Sequence, residues 1–311
     1  MKKQPHQTVI QKIRDLTPLH IRQKIGPVLA HIYYVDRLYL RSHNKKPHIL
    51  SIDETIDGVL REKLSVIRFG DGEISLIDGT NLGFQKKNDE LARKLEEIIK
   101  AKHENLMLCI PGMWGSLDVF APYARKFIMH YMYRYNQIWS SLLSYTEVYG
   151  DTNFTRHYLA YKDKGDAEER FKKIFSMWEG GNVVLVEGSK SRLGVGNDMF
   201  KNVSTMKRIL CPPENAYAKY SEILGEASKQ SKDTLILLSL GPTAKILAYN
   251  LFLLGYRVLD IGHIDMEYEM FLRKEDHQVK VPHKYFNEIN ERDPEDCLDE
   301  EYLKQIIVEI K

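Results

Sequence analysis

Two carboxylates spaced two residues apart lie in the segment Arg-Phe-Gly-Asp-Gly-Glu, residues 68–73. An extended or tightly turned backbone would aim Asp71 and Glu73 at one point. Gly70 and Gly72 allow such a turn and let the backbone come close to a ligand. Hard oxygen ligands in this arrangement suit Mg²⁺ or Mn²⁺ holding a diphosphate. We therefore predict a metal site at Asp71 and Glu73.

The same segment also has a simpler interpretation, a Gly-Asp-Gly turn with solvated acids. Arg68 adds a guanidinium fork, which either grips a phosphate or fixes a neighbouring carboxylate. The apolar stretch 64–67 before it predicts a buried strand, so the acids follow a strand end. The choice between these interpretations depends on the rest of the chain.

Length and composition are those of a globular protein. The chain has 311 residues, of which 43% are hydrophobic and 28% charged, enough for one large or two modest domains. The net charge is +2, but residues 1–47 hold ten Lys or Arg against two acids, a local charge of +8. We therefore predict a basic helical extension over 1–47, placed beside a mildly acidic body.

Cysteine usage and hydropathy bear on the cellular compartment. Cys109, Cys211 and Cys297 are far apart and form no Cys-x-x-Cys pair, which argues against a structural zinc site and a disulfide framework. No apolar run approaches the roughly 18 residues of a membrane span, and the N-terminus lacks signal-peptide features. We expect a cytoplasmic protein. Residues 1–47 suit either a helical hairpin packed on the body or on a second subunit, or peripheral contact at the inner face of the cell membrane.

From Ile49 onwards the pattern is α/β. Strand, loop and helix alternate about six times, which is typical of a mainly parallel sheet with helices on both faces. We therefore predict one catalytic domain over 48–311. Its predicted strands lie at 64–67, 106–110, 182–186, 207–211, 235–240 and 257–261.

The ends of these strands carry chemically useful residues. Glycines follow four of them, at 70–73, 187–189, 241–243 and 262–267, and all but 241–243 also contain acids. The segment 241–243 also opens a helix, whose N-terminus can receive an anion. Because parallel sheets bind ligands at the carboxyl ends of their strands, this concentration favours an enzyme over a structural protein.

Individual residues in these loops keep two interpretations. Gly194-Val195-Gly196 is a candidate phosphate loop, although this spacing also occurs in plain turns and is neither a dinucleotide nor a Walker A fingerprint. His263 suits acid–base work or a structural hydrogen bond. Asp265 and Glu267 are either general-base candidates or helix N-terminal acids favoured by the dipole.

Four motifs together resemble the GT-D fold glycosyltransferases, a family first described as a domain of unknown function in streptococcal adhesin glycosylation. The resemblance runs from about residue 49 to about residue 288 and leaves the first 47 residues outside. The motifs are Arg-Phe-Gly-Asp-Gly-Glu (68–73), Ser-Arg-Leu-Gly-Val-Gly-Asn-Asp-Met-Phe (191–200), Ser-Leu-Gly-Pro-Thr-Ala-Lys (239–245) and Leu-Asp-Ile-Gly-His-Ile-Asp-Met-Glu-Tyr-Glu-Met-Phe (259–271).

This resemblance implies a Rossmann-like α/β fold, a UDP-sugar donor, and Mn²⁺ or Mg²⁺ held through an Asp-x-Glu motif that maps onto Asp71 and Glu73. It also places the 191–198 loop near the nucleotide or the donor sugar. The residues expected to bind the donor are then Arg68, Gly70, Gly72, Arg192, Gly194, Gly196, Asn197 and Asp198.

The family's Lys-Tyr-x-Asn-Glu pattern occurs at 284–288, so Glu288 joins Asp265 and Glu267 as a candidate base, with His263 as a further catalytic candidate. The expected acceptor is a glycan, either a polysaccharide repeat unit, including one on a polyprenyl lipid, or a glycan on a surface protein. Alternatives are a metal-dependent phosphotransferase or pyrophosphatase and a non-catalytic sugar-nucleotide-binding subunit. No nucleic-acid partner is expected, since the body is acidic and no basic–aromatic platform appears. Self-association is left open.

Overall fold

A computed structural model describes residues 28, 46–286, 288 and 294–311. The basic helical extension predicted for 1–47 therefore lies outside the described residues, apart from positions 28, 46 and 47.

The described residues form one nine-stranded sheet whose paired strands all run parallel. The strand order is β1-β4-β3-β2-β8-β7-β5-β6-β9. The strands are β1 (His48–Ile49), β2 (Ser65–Arg68), β3 (Leu106–Ile110), β4 (Val148–Asp151), β5 (Asn182–Gly188), β6 (Thr205–Cys211), β7 (Leu235–Ser239), β8 (Val258–Asp260) and β9 (Ile306–Glu309).

Helices connect the strands. They are α1 (Ile52–Glu62), α2 (Asp71–Ile77), α3 (Asp89–Ile98), α4 (Pro122–Leu142), α5 (Ala167–Phe175), α6 (Tyr220–Ala227), α7 (Thr243–Leu253), α8 (Ile264–Arg273) and α9 (Glu300–Gln305). The helix predicted from residue 51 begins as its sequence indicates, because Ser51 and Glu54 form a capping box. No helix among the described residues is both long and apolar enough to cross a membrane.

Helices cover the sheet on both faces, which confirms the predicted fold class. One apolar cluster includes Leu91 of α3, Trp139 of α4 and Leu247 of α7. The other includes Ile56 of α1 and Phe171 of α5. Strands β2, β5, β7 and β8 are buried along their length except for the exposed first residue of β5, as the unbroken apolar runs in their sequences indicate.

The chain changes direction across the sheet between β2 and β8. From β2 it continues through β3 to β4, whereas β8, β7 and β5 lie on the other side of β2. Such a switch point leaves a crevice at the carboxyl ends of the two central strands. The segments after β2 and β8 are the ones that carry Asp71 and His263.

One sequence prediction about this crevice is wrong in its local geometry. Asp71 and Glu73 lie in the first turn of α2, with Gly70 as its N-cap. Positions two apart on a helix are separated by about 200° around its axis. The two side chains therefore leave the helix in different directions, although both residues line the cavity and the charge of Glu73 still acts on Asp71.

The sheet is packed closely enough around β4 to give a stability prediction. A Cβ atom added at Gly150 would lie 2.6 Å from Cys109 Sγ and 2.7 Å from Met107 Sδ. We expect Gly150→Ala to lower the free energy of unfolding by about 1–3 kcal/mol, since overpacking forces its neighbours to shift. Gly115→Ala is the matched control, because a Cβ there meets nothing within 4 Å. Urea unfolding of both variants measures the difference, and equal stabilities would contradict the packing described for β4.

Candidate active site

A cavity of about 850 Å³ opens at the carboxyl ends of the strands. Its volume lies in the upper part of the roughly 300–1,000 Å³ range of small-molecule sites. Three zones follow from the sheet order. The centre, after β2 and β8, includes Arg68, Asp71, Glu73, His263 and Glu267; the β3–β4 side includes Met113, Phe120, Tyr123, Phe127 and Arg156; the β5–β7 side includes Phe84, Ser191, Pro212, Asn215 and Gly241.

Asp71 presents its carboxylate to the cavity. As the first residue of α2, it is open to water inside the cavity, but protein atoms enclose the cavity floor. The resulting loss of solvation raises the pKa of Asp71, and the charge of Glu73 raises it further, while Arg156 opposes the shift. No ion pair joins this carboxylate to a cation among the described residues, so a bound cation would stabilise its charged form.

Glu73 is held by its own structure. Its side chain is buried, and its Oε2 accepts a hydrogen bond from the Gly70 amide at 2.7 Å. Its Oε1 lies 3.2 Å from Lys245 Nζ in an ion pair. The residue therefore caps α2 and ties it to α7, with both oxygens engaged.

These observations decide which metal site the residues fit. The described part of the chain contains no group of three or more His, Cys, Asp or Glu that could hold a metal ion, so a closed cage of protein ligands does not fit. Mg²⁺ often uses one or two carboxylates, with phosphate oxygens and water completing its octahedron. Asp71 meets that requirement, whereas Glu73 would first have to leave Gly70 or Lys245.

Arg68 supplies the opposite charge at the same floor. This last residue of β2 is 8% exposed, and its Nε donates to the Thr152 carbonyl at 3.2 Å. Its Nη1 has no hydrogen-bond partner among the described residues. A Cβ at Gly262 would lie 2.3 Å from that nitrogen, so only glycine fits there. Burial lowers the pKa of Arg68, and a buried donor without a partner favours an anion.

Lys245 was not predicted as a site residue, although it ends the 239–245 motif. It is buried, and its Nζ lies 3.0 Å from Asp260 Oδ2 as well as near Glu73. Burial opposes its charge, but Asp260 and Glu73 outweigh that effect and raise the pKa of Lys245. The amide of Arg68 also donates to Asp260 Oδ2 at 3.2 Å. Lys245 therefore joins α2, α7 and β8 beneath the cavity.

Arg156 is a second residue that the sequence did not reveal, because it follows β4, a strand that was not predicted. Its guanidinium forms a two-point ion pair with Glu288, at 2.7 and 2.9 Å. Burial would raise the pKa of Glu288, but Arg156 outweighs it and the pKa is lowered. Gln278 also donates to this carboxylate. A carboxylate held in this way is a poor proton acceptor.

Glu267 is better placed than Glu288 to accept a proton. It is buried in the cavity wall, and its Oε1 accepts hydrogen bonds from the amides of Tyr158 and Leu159, both at 2.8 Å. Burial raises the pKa of Glu267, and the charge of Arg156 only partly offsets this. Among the predicted base candidates, Glu267 combines cavity access with raised basicity.

Asp265, another candidate base, does not line the cavity. It accepts hydrogen bonds from Gly194 N and Asn197 Nδ2, each at 2.8 Å, and pairs with Lys284 Nζ at 2.8 Å. All three partners compete with a substrate proton. We therefore correct the base assignment of Asp265, which acts as a buried structural acceptor.

The 191–198 loop also lies outside the cavity lining, apart from Ser191. Arg192 Nη1 donates to the carbonyls of His283 and Glu295, at 2.6 and 2.5 Å. Asp198 accepts from the Tyr268 hydroxyl at 2.7 Å. Four residues predicted to bind the donor therefore hold α8 and the segment after it in place: Arg192, Gly194, Asn197 and Asp198. A fifth, Gly196, is exposed.

Fold and site together define a Rossmann-like α/β protein, with a cleft at its switch point that offers a free carboxylate and a free guanidinium donor. The sequence profile described as Glycosyltransferase GT-D fold matches residues 66–289, and the chain belongs to this family. The resemblance predicted from the four motifs is thereby confirmed.

Two curated relatives are also named as glycosyltransferases. The chain is 39% identical over 264 residues to "Glycosyltransferase GlyD" of Streptococcus pneumoniae serotype 4, covering 84% of this chain and 32% of that protein. It is 38% identical over 269 residues to "Probable glycosyl transferase Gly" of Streptococcus gordonii, covering 84% of this chain and 39% of that protein. The chain thus spans only about a third of the length of these relatives.

Solved structures agree with the fold. One described as "The highly conserved domain of unknown function 1792 has a distinct glycosyltransferase fold" matches with a TM-score of 0.82 at 35% identity, over 86% of this chain and 97% of that one. Another, "A New Glycosyltransferase (DUF1792) from Streptococcus sanguinis", matches with a TM-score of 0.82 at 36% identity, over 86% of this chain and all of that one.

The environment of His263 gives a titration prediction. Burial lowers its pKa to about 4, so the ring should be neutral at pH 6 and unable to act as an imidazolium acid. His277, which also lines the cavity, is the internal control, because its hydrogen bond to Asp276 raises its pKa. Imidazole chemical shifts in an NMR pH titration separate the two. A His263 midpoint near the ordinary value of about 6.5 would show that water solvates the ring.

Proposed function

We propose that the chain transfers a sugar from a UDP-sugar to a hydroxyl of a glycan acceptor, with Mn²⁺ or Mg²⁺ bound at Asp71. Family membership supports the reaction class. The observation that carries the site assignment is the pair of unmatched groups on the cavity floor. Asp71 lines the cavity and forms no ion pair with a described residue, and Arg68 Nη1 has no hydrogen-bond partner among the described residues. A diphosphate with its metal ion would satisfy both.

The N-terminus of α7 adds to this anion site. The helix has eleven residues and starts at Thr243, after Gly241 and Pro242, which line the cavity. Its dipole favours a phosphate there. Lys245 stabilises the floor but does not offer its charge to a ligand, because Asp260 and Glu73 already neutralise it. When bound, the cation would offset negative charge that builds on the departing UDP.

Proton transfer falls to Glu267 in an inverting reaction. The acceptor oxygen bonds to C1 of the donor sugar while the bond from C1 to the phosphate oxygen breaks. The electron pair leaves with UDP, and the acceptor proton passes to Glu267. Its two backbone hydrogen bonds occupy Oε1, which leaves Oε2 for that proton. Arg156 faces the same carboxylates and stabilises the charge that develops.

The acceptor and the setting of the reaction are also proposals. A glycan on a lipid carrier or on a surface protein fits the cavity's open mouth. The basic residues 1–47 support peripheral contact with an anionic membrane from the cytoplasmic side.

Donor binding gives the first functional prediction. We expect Asp71→Asn to abolish the Mn²⁺-dependent part of UDP binding and to reduce UDP release from the matching UDP-sugar by at least about a hundredfold. Isothermal titration with UDP, with and without Mn²⁺, measures the first effect, and a UDP-release assay over a panel of UDP-sugars measures the second.

Asp57→Asn is the control, since Asp57 is exposed on α1 and pairs with Lys173. Full metal-dependent binding by folded Asp71→Asn would disprove the metal assignment. Release of phosphate or pyrophosphate in place of UDP would favour a different nucleotide-processing enzyme.

The base assignment gives a second prediction. Glu267→Gln keeps a side-chain oxygen that accepts the hydrogen bonds of the Tyr158 and Leu159 amides. It removes the carboxylate that would take the proton. We expect transfer to fall by about a hundredfold or more, with UDP affinity unchanged. Glu288→Gln should cost less, because Arg156 already depresses the basicity of Glu288. If Glu288→Gln proves the more damaging of the two, the roles assigned to these residues are reversed.

A further inference from the structure

The β3–β4 side of the cavity has an aromatic wall, formed by Phe120, Tyr123 and Phe127. Phe120 is buried, but Tyr123 is 51% exposed and Phe127 is 53% exposed. Further along the same helix, Tyr131, Tyr135 and Trp139 are buried and Tyr133 is half-buried. Exposure of large rings on α4 therefore concentrates in the turns that border the cavity.

The exposed rings are held in place from behind. Positions 123, 127 and 131 lie four residues apart and share one face of α4. The rings of Phe127 and Tyr131 are stacked, with centroids 5.9 Å apart and an angle of 15° between their planes. Tyr131 is fixed in turn by the indole of Trp139, which donates to its hydroxyl at 3.0 Å. A ligand that stacks on Phe127 thus meets a surface that is already ordered.

Tyr123 connects this wall to the reacting groups. Burial raises the pKa of Tyr123 to about 12, and the nearby charges of Glu267 and Glu288 add to the shift, while Arg156 opposes it. The hydroxyl therefore stays protonated and can donate a hydrogen bond within the cavity that Glu267 also lines. The backbone links the two places, because the amide of Ala121, just before α4, donates to the Ala160 carbonyl at 2.8 Å, and the neighbouring amide of Leu159 donates to Glu267 Oε1 at 2.8 Å.

We propose that the aromatic wall binds a sugar ring of the acceptor, an inference that rests on the glycosyl transfer proposed above. The C–H hydrogens on one face of a pyranose carry partial positive charge and match the negative face of an aromatic ring. The sugar's hydroxyl groups, at the ring edge, then meet Tyr123 and Arg156. This assigns the acceptor to the β3–β4 side of the cavity.

The nucleobase belongs on the opposite side. There Phe84 packs near Gly241, and Asn215 and Pro212 complete the lining. The phosphate-binding groups, Arg68 and the N-terminus of α7, lie between this side and the wall. A UDP-sugar whose nucleobase lies against Phe84 would direct its sugar towards Glu267. The acceptor sugar, bound on Phe127, would then lie close to the reacting carbon.

Direct binding of simple sugars tests the assignment without knowledge of the natural acceptor. Lactose, maltose, cellobiose and chitobiose are titrated by saturation-transfer NMR, first alone and then with UDP and diamagnetic Mg²⁺ present. We expect at least one to bind the unaltered protein. Its Kd should rise by about tenfold in Phe127→Ala, while the Kd of UDP stays the same. Tyr123→Phe should retain most of the sugar affinity, because it keeps the ring and loses only the hydroxyl.

Tyr145→Ala is the matched control. Tyr145 is an exposed aromatic residue before the amino end of β4, whereas the cavity lies at the carboxyl ends of the strands. Its loss should change neither Kd. The inference is overturned if no sugar in the panel binds, or if Phe127→Ala binds the sugar as tightly as the unaltered protein does. It is also overturned if Phe127→Ala weakens the binding of UDP instead, which would place the nucleobase on the wall. Failure of the unaltered protein to bind UDP would count against the donor proposal alone, since sugar binding is measured separately.

Discussion

Four buried charges at the junction of β2 and β8 set the conditions for the rest of the site. Arg68 and Lys245 are the cations, and Glu73 and Asp260 are the carboxylates. Lys245 lies 3.0 Å from Asp260 and 3.2 Å from Glu73. Because desolvated charges are costly unless paired, these contacts fix α2, α7 and the two central strands relative to one another. Removing one member would leave an uncompensated charge in the floor of the cavity.

The same balance explains why two acids in one motif have different roles. Glu73 is neutralised by Lys245 and by the amide of Gly70, so its charge is used within the protein. Asp71, two positions earlier, forms no ion pair with any cation that the structure describes, and it lines the cavity. The motif thus combines one structural acid and one acid available to a ligand. A metal ion shared with a diphosphate would be held mainly by the second.

Sheet order then distributes the chemistry. The switch point places the charged floor at the centre, the aromatic wall on the β3–β4 side and the Phe84 region on the β5–β7 side. In the proposed transfer, donor and acceptor need separate places that meet at one carbon atom, and this division of a cavity of about 850 Å³ would supply them. The position of the cavity at the carboxyl ends of the strands also explains why Arg156, in the loop after β4, faces Glu267 and Glu288.

The sequence by itself determined the fold class, the alternation of strands and helices, the capping box of α1 and the motifs that identify the family, because these depend on local pattern and residue type. It also located the loop that carries Arg68 and Asp71. Only the tertiary structure separated Asp71 from Glu73, since a helix rather than an extended turn begins at that point. The fold likewise leaves Asp265 and residues 192–198 outside the cavity lining, and it brings in Lys245 and Arg156. Those outcomes depend on which charges the fold buries together, and residues far apart in the chain, such as Glu73 and Lys245, give no local signal of their pairing.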